Sequence, residues 1–168
     1  MQAGEFLAKV PLFAKSLNAG QLAVLTKESR PAFFLAGSRL MSQGEFGGSM
    51  FVIVDGKVEV TFADGDAREQ TVATLGPGDI VGEMSLFTGD RRTATVSAAT
   101  KVNAIKITKS SLERIFAKAP DLIDTFAAVL AKRQAELNAV SRQHSAQAEK
   151  SFTRQVRKVF AGIFGGDG

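Results

Sequence analysis

Met50-Phe51-Val52-Ile53-Val54-Asp55-Gly56-Lys57-Val58-Glu59-Val60-Thr61-Phe62 sets two β-rich runs on either side of an Asp-Gly pair. Asp-Gly meets the positive φ angles of a tight two-residue turn at low cost, so the stretch reads as a hairpin with strands over Met50–Val54 and Lys57–Phe62. The same texture continues outward. Short β-branched or aromatic runs recur at Ala32–Leu35, Arg39–Ser42, Gln70–Leu75, Thr95–Ala98 and Val102–Ile107. Between them stand turn residues: Ala36-Gly37, Gly44 to Gly48, Asp64-Gly65-Asp66 and Gly76-Pro77-Gly78-Asp79. Many short strands punctuated in this way imply an antiparallel sandwich or barrel, and a loop-rich irregular domain would not place its turns so regularly.

Helical periodicity frames this β-rich body. From Gln2 to Ser29, Phe6, Leu7, Val10 and Phe13 recur at helical spacing with Pro11 interrupting, which predicts two short helices. The pattern continues over Leu17–Thr26 after Asn18, a good N-cap residue. Beyond Ile107, Ser110–Ala117 reads as a short helix capped by Ser110 or Ser111. Pro120 then opens a long helix from Asp121 to about Lys150. Its seam is Ile123, Phe126, Leu130, Arg133, Leu137 and Val140, apolar but for one arginine. A last stripe, Phe152, Val156, Val159, Phe160, Ile163 and Phe164, has Arg154, Arg157 and Lys158 on its other side. It suits packing on its own domain, a partner helix, or an anionic membrane surface.

Composition narrows function. The 168 residues include no Cys and a single His, His144, which reads as a surface residue. Disulfides, thiolate metal sites, cysteine nucleophiles and histidine metal clusters are therefore excluded, and a Ser-His-Asp triad, which needs an inward imidazole, is not expected of a surface His144. No apolar run approaches the roughly 18–20 residues that span a bilayer, and nothing resembles a signal peptide. Residues 1–100 carry 9 Lys/Arg against 11 Asp/Glu, and residues 101–168 carry 12 against 6, so the basic character belongs to the second part. The residues after the long helix are too few for a helix-turn-helix module with a wing, and nucleic acid is not an expected partner.

The chemically informative segment is Gly82-Glu83-Met84-Ser85-Leu86-Phe87-Thr88-Gly89-Asp90-Arg91-Arg92-Thr93-Ala94-Thr95-Val96. One helical turn over Met84–Phe87, between a glycine turn and a strand, would gather backbone N–H groups beside an arginine, a combination suited to a single phosphate. A carboxylate so close repels phosphate, and Glu83 makes sense there as an acceptor for a sugar hydroxyl.

Gly82-Glu83-Met84-Ser85-Leu86 followed by Arg92-Thr93-Ala94-Thr95-Val96 resembles the phosphate-binding cassette of cyclic nucleotide-binding domains. The resemblance extends to Val10-Pro11-Leu12-Phe13, to Gln43-Gly44-Glu45 before Met50-Phe51-Val52-Ile53, and to Leu75-Gly76-Pro77-Gly78-Asp79, covering about residues 5–145. It implies an eight-stranded antiparallel β-roll, a jelly-roll-like double-stranded β-helix, with N-terminal helices and a long C-terminal helix. On this reading residues 1–145 form the binding domain: N-terminal helices 1–29, roll 30–107 with cassette 82–96, and lid helices 109–145. Residues 146–168 form a basic amphipathic tail.

The same resemblance implies that Arg92 binds the cyclic phosphate and Glu83 the ribose 2′-hydroxyl. Gly82, Met84, Ser85, Thr93 and Ala94 would contact phosphate, sugar and base. Arg133 falls where some bacterial channel relatives place a side chain that caps the base. Three positions depart from the family pattern: Arg91 replaces a usual proline, so two arginines compete for the phosphate, Ser85 replaces a frequent alanine, and Val81 a bulkier aromatic. Register against Thr93-Ala94-Thr95 favours Arg92. A hydroxyl at Thr93 suits cGMP without excluding cAMP, and that choice stays open. The implied protein is a sensor and not an enzyme. It takes cAMP or cGMP and no metal, and works at the cytoplasmic face of the membrane as the regulatory domain of a cyclic nucleotide-regulated channel, including mechanosensitive types, with a homo-oligomer compatible. A stand-alone cytoplasmic sensor, or the sensor part of a transcription regulator, is the alternative. A metal-dependent enzyme on a similar fold lacks the ligands.

Overall fold

Residues 2–63, 69–137 and 146–160 are described by the computed structural model. The N-terminal segment forms three helices, α1 (Ala3–Leu7), α2 (Pro11–Ser16) and α3 (Ala19–Glu28). Pro11 stands at the start of α2, where its missing N–H leaves no helical bond unmade. Asn18 caps α3 as expected: its side chain accepts from the Gln21 N–H at 2.8 Å, and the Gln21 side chain accepts from the Asn18 N–H at 2.9 Å.

Eight strands follow: β1 (Arg30–Phe34), β2 (Arg39–Met41), β3 (Ser49–Asp55), β4 (Val58–Ala63), β5 (Glu69–Leu75), β6 (Ile80–Val81), β7 (Thr95–Ala98) and β8 (Val102–Thr108), with α4 (Glu83–Thr88) between β6 and β7. They make two four-stranded sheets, ordered β1-β8-β3-β6 and β2-β7-β4-β5. Every pairing is antiparallel. This is the antiparallel roll with flanking helices that the sequence implied.

The central hairpin expectation is overturned. Asp55-Gly56 does turn the chain, with Gly56 at φ 94°, but β3 and β4 do not pair. β3 lies between β8 and β6, and β4 between β7 and β5. The Lys57 carbonyl accepts from the Ala99 N–H at 2.9 Å, and its N–H donates to Thr100 Oγ1 at 3.0 Å, so the β7–β8 connection takes the bonds a hairpin would have used. The turn is a corner between sheets. Burial explains why: Met50, Phe51, Val52 and Ile53 are all buried, so both faces of β3 need cover, which an isolated ribbon cannot give.

Alternate residues of β3 serve two cores. Phe51 and Ile53 point between the sheets, with Met41, Val58, Val81, Val96, Ala98, Val102 and Ala104. Met50 and Val52 join a second core under the helices, with Leu7, Phe13, Leu86, Phe87, Ile107 and Phe116.

The C-terminal helices differ from expectation in two respects. The cap of α5 (Lys109–Lys118) is Thr108, whose side chain accepts from the Ser111 N–H at 3.2 Å; Ser110 is helical and exposed, and Ser111 is buried inside the first turn. The long helix does not run unbroken to residue 150. Of the described residues, α6 covers Asp121–Leu137, and α7 (Ala146–Val159) returns so that Arg157 forks onto Asp124 at 2.7 and 2.9 Å. Thirty-three residues of straight helix would hold those two positions about 50 Å apart. Val156 and Phe160 are buried in the helical core, Phe160 against Phe87 and Phe116 at ring distances of 5.6 and 5.1 Å. Of the three settings considered for the apolar stripe, these residues take packing on their own domain. The Asp64-Gly65-Asp66 turn, Val140, His144, Ile163, Phe164 and the side chains of Leu137 and Phe152 lie outside the described residues.

Candidate functional site

α4 is six residues long, too short to hold itself, and is positioned by what it buries. Gly82 precedes it at φ 84° and Gly89 follows it at φ 76°. Leu86 and Phe87 anchor it in the helical core, where Phe87 stacks on Phe126 of α6 at 5.7 Å. Its remaining side chains are thereby aimed: Met84 half-buried against the same core, Glu83 and Ser85 buried on the side of Arg92 and Arg133.

Arg92 is the hub. It is 8% exposed. Nη1 donates to the Gly82 carbonyl at 3.0 Å and to Ser85 Oγ at 2.9 Å, and Nη2 donates to the Ser49 carbonyl at 2.9 Å. One guanidinium thus ties the entry of β3 to the start of α4. The loop before β3 is fastened to the same place: the Arg92 N–H donates to the Glu45 carbonyl at 2.7 Å, and the Gly44 N–H donates to the Arg92 carbonyl at 2.8 Å. Gly47 lies over the guanidinium so closely that a Cβ there would overlap the Arg92 Cζ. Gly82 is set by its φ of 84°, and a Cβ there would also displace the Arg92 Nη1 at 2.6 Å and the Met41 Cε at 2.8 Å.

The two arginines are now distinguished. Arg91 is exposed; its Nη1 donates to the Gly44 carbonyl at 2.9 Å and its guanidinium lies 4.2 Å from the Phe46 ring centroid. Only Arg92 turns inward. The Ser85 hydroxyl, a departure from the family pattern, receives an Arg92 hydrogen bond. Thr93 is exposed and Ala94 half-buried beside it. Sequence reasoning missed Gly47, Ser49 and Ile80, whose roles rest on backbone atoms or on space; the glycines of the Gly44 to Gly48 turn were the available signal.

Arg133 settles on an acid. Its Nε stands 3.3 Å from Glu83 Oε1, an ion pair without hydrogen-bond alignment, and its Nη2 donates to the Ile80 carbonyl at 3.2 Å. The arginine of the α6 seam therefore faces the carboxylate at the start of α4. Glu83 Oε2 is buried with no hydrogen-bond partner. Burial pushes the Glu83 pKa above its ordinary value of 4.5, against the opposing pull of Arg133, its own backbone N–H and Arg92. Burial likewise lowers the Arg92 pKa, opposed by Glu45 and Glu83. An open pocket of about 270 Å³ bounded by Phe46, Lys109 and Val159 adjoins the cluster, but it includes neither Glu83 nor Arg92 and shares only Ser85 with the expected site.

The Glu83 shift has a testable sign. Native Glu83 holds its proton more tightly than the unfolded chain does. Its contribution to stability is therefore fully present below the ordinary pKa and is lost as pH climbs from 4.5 through the raised value. Glu83→Gln, which cannot ionise, escapes that loss. In thermal melts of the ligand-free protein the variant is expected to melt above the wild type at pH 7, with the gap shrinking toward pH 4.5. A gap that widens on acidification would contradict the assignment.

Residues 31–119 match the family model described as the cyclic nucleotide-binding domain. The chain is 31% identical over 134 residues to a CRP-like cAMP-activated global transcriptional regulator of Mycobacterium tuberculosis, covering 80% of this chain and 59% of that one. It is 36% identical over 121 residues to a cyclic nucleotide-gated potassium channel of Rhizobium etli, covering 72% of this chain and 32% of the channel. The crystal structure of the N-terminal domain of a Streptomyces coelicolor transcriptional regulator superposes with a TM-score of 0.67 at 30% identity, covering 80% of this chain and 95% of that domain. The chain thus spans less than two thirds of the length of the curated relatives it matches, 59% of one and 32% of the other.

Proposed function

Because the chain belongs to the cyclic nucleotide-binding domain family, we propose that it binds cAMP or cGMP through Arg92, Ser85 and Glu83 and answers by moving α6. The observation that carries this reading is Glu83 Oε2, a buried carboxylate oxygen with no partner beside a buried guanidinium. An ionised carboxylate out of water and half-unpaired is costly for folding alone, and it suits an acceptor kept for a hydroxyl. Arg92 supplies the cation and forked donors that a cyclic phosphate requires. Gly82, Met84, Thr93 and Ala94 complete the walls. The cyclic nucleotide supplies one diester charge and a 2′-hydroxyl, and the chain does no covalent chemistry on it.

The response follows from Arg133. It already holds Glu83 Oε1 from α6, so a sugar hydroxyl seated on the unpartnered Oε2 shares the carboxylate with Arg133 and changes the strength of the tie to α6. Ligand and helix position are then linked, because the two states differ in their contacts with the ligand. We read the output as regulation of a channel, in line with the likeness to the Rhizobium etli protein; the protein then works at the cytoplasmic face of the membrane. The likeness to the Mycobacterium tuberculosis and Streptomyces coelicolor regulators favours a second reading, the sensor part of a transcription regulator.

Calorimetric titration with cAMP and cGMP tests the binding itself, with saturable one-to-one binding of at least one expected. No heat and no thermal stabilisation by either nucleotide at millimolar concentration would overturn it. The genomic reading frame around this segment separates the outputs: membrane-spanning segments support the channel, and a DNA-binding module supports the regulator.

A further inference from the structure

We propose that α7 is a strap that positions the cassette helix for its ligand, with Gln155 as the residue that fastens it. This rests on the cyclic nucleotide reading and adds to it a determinant of affinity that lies outside the pocket. Three observations carry it. First, α4 is only six residues long, has no side-chain cap at Gly82 and is closed within its own chain segment at Gly89 by a backbone bond to the Ser85 carbonyl, so its placement must come from neighbours. Second, the Gln155 side-chain amide donates to the Thr88 carbonyl at 3.0 Å and to Asp90 Oδ2 at 3.0 Å, grasping the last residue of α4 and the loop leading to Arg92 in one grip. Val159 closes on the same corner, where a Cβ at Gly89 would stand 3.2 Å from its Cγ2. Third, α7 is itself fixed to α6 by the Arg157–Asp124 fork and to the core by Val156 and Phe160.

The cassette helix is consequently held at both ends. Glu83 at its start is tied to α6 through Arg133, and Thr88 at its end is tied to α7 through Gln155. A nucleotide hydroxyl on Glu83 Oε2 shares its carboxylate with the first tie. The second lies away from the ligand and persists through binding. It keeps Ser85, Gly82 and the Arg92 loop in register as the tie to α6 changes, so ligand does not have to order them. Gln155 is thus a positioning residue.

The test compares wild type, Gln155→Ala, the near-isosteric Gln155→Glu, and Arg154→Ala on an exposed neighbouring position. cAMP and cGMP are titrated by calorimetry, and amide hydrogen exchange is measured without nucleotide. Gln155→Ala is expected to bind about three- to tenfold more weakly, with faster exchange at residues 83–90 and unchanged exchange in β3 and β8. Gln155→Glu, which loses the amide donor and faces Asp90 with like charge, should weaken binding at least as much. Arg154→Ala should do neither. Wild-type affinity in both Gln155 variants, or exchange at 83–90 no faster than in wild type, would overturn the strap. If wild type binds neither nucleotide, the sensor reading falls, and exchange alone then decides whether α7 orders the cassette.

Discussion

Arg92→Ala is expected to weaken cyclic nucleotide binding by at least about tenfold and up to about a hundredfold. A hydrogen bond to a charged group is worth about 1.5–3 kcal/mol, and 1.4 kcal/mol corresponds to a factor of ten. The substitution removes the inward-facing cation of the cluster and the donors to Gly82, Ser85 and Ser49. It also removes one of the charges that favour ionised Glu83. Calorimetry against both nucleotides measures the loss, and a thermal melt shows that the roll survives it. Arg91→Ala is the matched control. Its guanidinium lies on Phe46 and Gly44 at the surface, so it should change affinity less than about threefold. If Arg91→Ala proves the damaging variant, the roles of the two arginines have been reversed.

That pair of arginines shows what the sequence could convey. The register of the family motif against Thr93-Ala94-Thr95 favoured Arg92, and the fold agrees, since Arg92 is buried and Arg91 exposed. The roll was legible because short β-branched runs bounded by glycine turns have few other solutions. Partner choice was not legible. Asp55-Gly56 specifies a turn, but whether the flanking strands pair depends on what bonds to β3, and both of its edges are taken by strands later in the chain, β6 and β8. Ile80–Val81 escaped because two residues carry no period. Arg133 was readable as an arginine on an apolar seam, which needs an anion or a ring, yet the sequence could not say that the anion is Glu83, fifty positions earlier. The return of α7 along α6 was hidden because no glycine or proline announces it in the sequence, and tertiary contacts such as the fork from Arg157 to Asp124 reveal it.

Gly47→Ala is expected to abolish high-affinity binding while leaving the fold in place, with a loss comparable to that of Arg92→Ala. The added methyl would occupy the position of the Arg92 guanidinium. Two responses are open: the loop moves, or the arginine does. The loop is fastened on one side by the Gly44 and Arg92 backbone bonds, and on the other by the Lys109 N–H, which donates to the Gly48 carbonyl at 2.9 Å. The guanidinium, by contrast, ends a flexible side chain. The arginine therefore yields, breaking its bonds to Ser49, Gly82 and Ser85 and losing its aim. Gly47 φ lies outside the left-handed region, so alanine brings no backbone strain of that kind. Stability should fall only by the cost of the displaced hydrogen bonds, about 1–3 kcal/mol. The variant separates geometry from chemistry, since every charged and hydroxyl group of the proposed site is still present. If Gly47→Ala binds cAMP or cGMP like the wild type, the phosphate does not depend on Arg92 standing where it does here. If it fails to bind but Arg92→Ala binds normally, the loop and not the guanidinium is what the ligand meets.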